Sequence, residues 1–341
     1  MSRIAVIGAG AWGTSLTIVL ARSGIHQVRL WAYEEEVRRS FESRRENALF
    51  MPGVPIPDSA RVTNSLAEAL EDASIVVGVM PSHLARNLYR QMKPYLRSEM
   101  LFISATKGIE TGSLLRMSEV IHAVLSDEPI GFRPRLGALS GPSFALEVAK
   151  GDPTAVTIAS DDDELAHTVQ REFSDPKFRV YRHHDVVGVE LGGSLKNVIA
   201  IAAGVVDGLG LGHNTVAALI TRGLAEMTRL VVACGGQSET MAGLAGLGDL
   251  VLTCTGSLSR NRSVGVELGK GRKLKEIISS MHGMVAEGVL TTDAALGLAL
   301  KYQLEMPITE QTYTLLHEGK SPSEAIHELM TRPFTTEVTL Y

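Results

Sequence analysis

The chain has 341 residues, of which 45% are hydrophobic and 21% charged, with a formal net charge of −5. That length predicts two domains and that apolar content a globular chain, while the absence of a basic block excludes nucleic acid as the main partner. Charge-free apolar stretches such as 197–206 are too short for an integral membrane segment, and two cysteines, Cys234 and Cys254, without metal-type spacing suit reduced core residues.

Taken in order, the first half alternates short apolar runs with helical patterns. Strands are predicted over 4–7, 27–31, 75–80, 101–105, 136–139, 155–159 and 179–180. Helices are predicted over 14–23, 65–71 (capped by Ser65 or Asn64), 84–96 and 113–125, with a further one capped from Asp161 to Asp163. The stretch 44–59, with Pro52, Pro55 and Pro57, reads as a loop. Alternation of this kind implies a parallel sheet with helices on both faces. The first strand begins at Arg3, which leaves no room for a signal peptide, so a cytoplasmic location is expected. After about Val187 strand signals vanish. Helices are predicted over 187–205, 214–234, 262–270, 274–279, 289–300, 307–318 and 321–330. The expected domains are therefore 1–189, an α/β unit, and 190–341, an all-α unit.

Gly8-Ala-Gly10-Ala11-Trp12-Gly13 stands between a strand and a helix, with a second strand ending at Trp31. In such a turn the first glycine bends the chain, the second admits a pyrophosphate and the third lets helix pack on strand. This order predicts a Rossmann-type doubly wound sheet that binds NAD or NADP. At the second strand's tip stands Tyr33, placed to stack on adenine. The acids Glu34, Glu35 and Glu36 follow slightly late for a ribose 2′-hydroxyl, and Arg38 or Arg39 could reach back from the next helix. The choice between the two cofactors stays open.

Ligands in such sheets bind beyond the carboxyl ends of the strands. Loops there carry His83, Lys107 in Ala105-Thr106-Lys107-Gly108, and Gly141 and Ser143 in Ser140-Gly141-Pro142-Ser143-Phe144-Ala145. Lys107 suits an anionic or carbonyl ligand, or is a surface lysine; His83 reads as a loop residue. The neighbours His183 and His184 cannot easily share one ion and have no partners nearby, so no metal is expected.

In the helical half, Lys196 stands alone in Glu190-Leu-Gly-Gly-Ser-Leu-Lys-Asn-Val-Ile-Ala-Ile-Ala-Ala-Gly204. Gly192, Gly193, Lys196, Ala200, Ala203 and Gly204 share one helix face with little bulk. A lysine withdrawn from water gives up its proton more readily, which is how lysines become acid–base catalysts. The same face also suits tight helix packing with Lys196 reaching to water. Asp249, after a glycine run, reads as a helix N-cap, Arg260 with Asn261 as a phosphate clamp or an exposed pair, and Glu287 as a glycine-flanked acid before a helix.

Together the segments GAGAWG, ATKG, SGPSFA, VELGGSLKNVIAIAAG, GLGDLVLTCTGSLSRNR and MVAEGV resemble the NAD(P)-dependent glycerol-3-phosphate dehydrogenases, in order over nearly the whole chain. The resemblance implies interconversion of sn-glycerol 3-phosphate and dihydroxyacetone phosphate, supplying the glycerophospholipid backbone. It implies Lys196 as catalytic acid–base and Lys107 in contact with both cofactor and substrate. Gly141, Ser143, Asn197, Asp249, Thr253, Ser259, Arg260 and Asn261 would hold the substrate. Gly8, Gly10, Ala11, Trp12, Gly13, Tyr33, Ala145, Arg260, Val285 and Glu287 would line the cofactor. Many relatives carry a basic residue where Tyr33 stands, which weakens an NADP assignment. The glycines beside Lys196 would then be clearance for ligands, although 200–204 could still serve packing. A homodimer is expected. Two other readings remain: a two-domain dehydrogenase of a hydroxy acid or acyl thioester, and a non-catalytic NAD(P)-sensing protein.

Overall fold

The computed structural model describes residues 2–127, 131–281, 286–333 and 336–337. The chain falls into two compact units, Met1–Lys107 with Leu115–Glu190, and Gly108–Leu114 with Leu191–Tyr341. The excursion Gly108–Leu114 is a feature the sequence reading did not anticipate: Leu114 belongs with the helical unit, where its side chain fills the space beside Gly297.

The strands of the first unit are β1 (Arg3–Ile7), β2 (Gln27–Trp31), β3 (Glu46–Asn47), β4 (Met51–Pro55), β5 (Ala60–Thr63), β6 (Ile75–Gly78), β7 (Leu101–Ser104), β8 (Arg135–Ser140), β9 (Thr154–Ala159) and β10 (Phe178–His183). Eight of them form one sheet in the order β10-β9-β8-β7-β6-β1-β2-β5. All neighbours run parallel except β8 and β9, which are antiparallel, so the wholly parallel sheet expected from the sequence is corrected at that pair. A buried apolar run has the same composition in either direction, and only its partner's register reveals which.

Successive residues of β1 serve opposite faces, as the period of two requires. Ile4 and Val6 join the core with Leu30, Ile103 and Val156, whereas Ala5 and Ile7 join Val76, Phe102, Met92 and Val120. Fully burying side chains such as Phe102 and Ile103 contributes roughly 1.5–3 kcal/mol each. The predicted loop 44–59 is also corrected. Pro52 and Pro55 stand at exposed positions of a two-stranded antiparallel hairpin, β3 with β4, and Pro57 lies just beyond it. β1 lies between β2 and β6, so the chain's winding reverses there, and the glycine-rich turn follows β1 at that reversal.

The second unit is helical. Its longest helices are Val186–Gly208, whose first residues belong to the α/β unit, and His213–Ala233. Shorter ones follow at Asp249–Thr255, Arg260–Gly269, Leu274–Ser280, Glu287–Tyr302, Pro307–Tyr313 and Pro322–Met330. Val186–Gly208 is long and apolar enough to cross a membrane, yet 83% of its most apolar stretch is buried inside the protein, as befits a core helix. It crosses Arg260–Gly269 backbone on backbone. A Cβ at Gly204 would stand 2.0 Å from the Arg262 carbonyl, and one at Gly265 would stand 1.9 Å from that of Ile201.

Candidate functional site

The α/β unit carries a first group of candidate residues. Gly8 has φ +116°, and a Cβ there would lie 2.4 Å from the Val79 carbonyl; a Cβ on Gly13 would lie 1.9 Å from that of Gly8. These two glycines are required by packing alone. Gly10 is different: it precedes the helix Ala11–Arg22, and a Cβ there would meet nothing within 4 Å. The open side of Gly10, at a helix N-terminus, is what a pyrophosphate needs, and the residues present fit a dinucleotide. Ala11, Trp12 and Ala145 pack on one core cluster beside this turn, with the Trp12 Nε1–H buried and unpartnered. The Lys107 ammonium donates to the Gly141 carbonyl (2.8 Å) and to Ser143 Oγ (3.3 Å), and lies 6.0 Å from the centre of the Trp12 ring. The structure thus brings Lys107, Gly141, Ser143 and Trp12 together.

Tyr33 is 79% exposed, its ring 6.3 Å from that of Trp31. The two arginines that could have reached back are engaged. Arg38 is ion-paired to Glu35 and Glu42, and Arg39 Nε lies 3.2 Å from Glu35. His83 stands in the first turn of Ser82–Met92 rather than in a loop. Among the described residues no group of three or more His, Cys, Asp or Glu could hold a metal ion. His184 is exposed, beside Asp163.

The helical unit carries a second group. Lys196 is buried, and its Nζ donates to Asp249 Oδ1 (2.6 Å) and Thr253 Oγ1 (2.8 Å), while Thr253 Oγ1 donates to the Asp249 carbonyl (2.6 Å). Asp249 is not the N-cap expected from the sequence. A π-turn over Leu244–Gly248 runs directly into its helix, so the carboxylate is the first helical residue and is committed to Lys196. The clearance reading of the small residues is likewise corrected at Gly192, whereas Gly204 serves the packing allowed for 200–204. The space above them is filled by the carbonyls of Ala245 (2.7 Å) and Arg262 (2.0 Å), so they are packing residues. Cys254, next to Thr253, is buried, which pushes its thiol up to about 12 and leaves it inert.

Asn261 Nδ2 donates to Asn197 Oδ1 (2.9 Å), and Asn261 Oδ1 accepts from the Gly288 N–H (2.9 Å). Asn261 therefore braces Asn197 against the start of Glu287–Tyr302. Ser259 caps its helix by accepting from the Arg262 N–H (3.2 Å). Arg260 reaches the surface, although crowding around its guanidinium strips enough water to hold its pKa below the free value, opposed by Glu287. Val285 lies outside the described residues. Sequence reasoning missed Asn47, fully buried in the hairpin and bonded to the glycine-rich turn. One amide residue in a proline-rich stretch offers no signal that could have found it.

Residues 3–166 match the model for the NAD-dependent glycerol-3-phosphate dehydrogenase N-terminus, and residues 185–327 that for its C-terminus. The chain is 68% identical over 340 residues to a glycerol-3-phosphate dehydrogenase (NAD(P)+) of Koribacter versatilis, covering 100% of both chains. It is 56% identical to one from Acidobacterium capsulatum, over 98% of this chain and 99% of that one. The crystal structure of a glycerol-3-phosphate dehydrogenase from Coxiella burnetii superposes with a TM-score of 0.91 at 42% identity, covering 97% of this chain and 99% of that one.

Proposed function

The chain belongs to the NAD-dependent glycerol-3-phosphate dehydrogenase family, and from that membership and the buried Lys196 we propose how it interconverts sn-glycerol 3-phosphate and dihydroxyacetone phosphate. It is an NAD(P)-dependent oxidoreductase acting on a CH–OH group, and its product suits glycerophospholipid synthesis. When bound, the nicotinamide supplies the hydride to the ketone carbon. The carbonyl oxygen, as it becomes an alkoxide, takes a proton from Lys196 Nζ, leaving a neutral amine that solvent reprotonates. In the reverse direction the amine removes the alcohol proton. Asp249 and Thr253 hold Nζ in place by two short hydrogen bonds, so the proton sits at a defined position before the substrate arrives. Arg260 and Asn197 bind the substrate's phosphate and hydroxyls, with Asn261 fixing the orientation of the Asn197 amide. Gly10 receives the pyrophosphate and Tyr33 the adenine, while Lys107 contacts both cofactor and substrate and Ser143 beside it contacts the substrate.

The observation that carries this reading is the buried Lys196–Asp249–Thr253 set, which a cofactor sensor would not need. Nicotinamide absorbance is followed with dihydroxyacetone phosphate for the parent and for Lys196→Ala. The parent turns over and the variant loses roughly 10²–10⁴-fold in kcat. Full activity in the variant removes Lys196 from the mechanism, and none in the parent sinks the assignment. Cys234 and Cys254 are not joined in a disulfide, in keeping with a reducing cytoplasm. Leu300 (73% exposed) and Met330 (80%) leave apolar surface that a second copy would cover; a concentration-independent monomer in light scattering refutes the homodimer.

A further inference from the structure

We propose that Asn47 is a positioning residue for cofactor binding: it presets the Ala9–Gly10 peptide so that the Gly10 N–H faces the dinucleotide pyrophosphate. This rests on the reading of the glycine-rich turn as the pyrophosphate site. Asn47 has no exposed surface. Its Nδ2 donates one hydrogen to the Ala9 carbonyl (2.7 Å) and the other to Thr14 Oγ1 (2.8 Å), while its Oδ1 accepts from the Phe50 N–H (3.1 Å). A carbonyl can only accept and an N–H only donate, so these partners fix which end of the amide points where.

The Ala9 carbonyl and the Gly10 N–H belong to one peptide unit, and in a trans peptide they point in opposite directions. Holding the carbonyl inward therefore aims the N–H outward. That N–H precedes the first turn of Ala11–Arg22, where backbone donors have no intrahelical acceptor and await a ligand. The Gly10 carbonyl is already committed, accepting from the Thr14 N–H (2.9 Å). Thr14 is wholly buried, and its Oγ1 also donates weakly to the Ala9 carbonyl (3.3 Å). Asn47 and Thr14 thus close on the same oxygen from two sides. Without them the peptide is held less tightly, and the donor must be oriented when the cofactor binds, at a cost in affinity.

The hairpin has anchors of its own that do not touch the turn. Ser40 Oγ accepts from the Ala48 N–H (3.2 Å) and donates to the Val37 carbonyl (3.0 Å). This allows a control that separates holding the hairpin from aiming the peptide. Binding of ADP-ribose and of adenosine to the full chain is measured by calorimetry for the parent, Asn47→Ala and Ser40→Ala, with thermal melting alongside. ADP-ribose carries the pyrophosphate and adenosine does not. For Asn47→Ala the Kd for ADP-ribose rises about tenfold and that for adenosine stays within twofold; for Ser40→Ala both stay, even if the melting temperature falls. Equal weakening of both ligands, no weakening of either, or the same pattern in Ser40→Ala overturns the proposal. A parent that binds ADP-ribose no better than adenosine instead removes the pyrophosphate reading itself. If Asn47→Ala does not fold, Thr14→Val removes one of the two acceptors of the same amide. It is then expected to raise the ADP-ribose Kd about threefold with adenosine unchanged, and unchanged binding of both overturns the proposal.

Discussion

Replacing Asp249 by Asn tests whether the site is built as a buried ion pair. The Lys196 and Asp249 side chains are 7% and 1% exposed, with charged atoms 2.6 Å apart. At an effective dielectric of about 20 that separation corresponds to about 6 kcal/mol of direct attraction, offset by the water both ions have lost. Asp249→Asn removes the attraction and keeps the desolvated ammonium, so the expected loss of stability is about 3–5 kcal/mol. Lys196→Met alone leaves the opposite charge stranded and costs a similar amount. The double variant strands neither, so its loss is smaller than the sum of the two by several kcal/mol. Urea unfolding of the four proteins at neutral pH, followed by circular dichroism, measures all sides of the cycle. Losses that add to within about 0.5 kcal/mol would show that the two charges do not sustain one another, and the geometry proposed for proton transfer would fall with that result.

Three further outcomes follow from particular contacts. Gly10→Ala folds with an unchanged melting temperature and raises the KM for the cofactor, whereas Gly8→Ala, with φ +116° and the Val79 carbonyl in the way, is strongly destabilised; comparing melting with kinetics for both checks this. Tyr33→Arg raises kcat/KM for NADPH relative to NADH, because Arg38 and Arg39 are held by Glu35; an unchanged ratio removes Tyr33 from cofactor choice. Glu226 is buried, which pushes its carboxyl up to about 7, against the lowering effect of its hydrogen bonds from the N–H groups of Ile308 and Thr309. The native state then holds this proton more tightly than the unfolded chain, so stability falls as pH rises from about 4.5 to about 7, by at most about 3 kcal/mol. In Glu226→Gln that part of the pH dependence disappears, and denaturant titrations at pH 5 and pH 7.5 read the difference.

Much of the α/β unit was legible because its signals are local. The first two strands and the glycine-rich turn between them depend on residues only a few positions apart, and the helices after position 187 show their own 3.6-residue period. Less legible were features with identical local chemistry and different outcomes. β9 reads as a buried strand whichever way it runs, and the hairpin at 46–55 was hidden by prolines that its exposed positions tolerate. The small residues around Lys196 suit a ligand or a helix equally well. At Gly192 and Gly204 the structure gives the space to neighbouring carbonyls.

By itself the sequence determined the chemical groups available: a turn open at Gly10, one lysine in an apolar helix, and an arginine and amides suited to a phosphorylated substrate. The tertiary structure decided how they are joined. Lys196 meets Asp249 across 53 residues of chain, and Asn47 meets Ala9 across 38, so neither pairing falls within the reach of any local period. Such contacts arise only when whole elements pack, because each needs its backbone placed to within a few tenths of an ångström by a core that no short segment contains. For that reason Asp249 reads as a cap in the sequence and becomes the counter-charge of Lys196 in the fold.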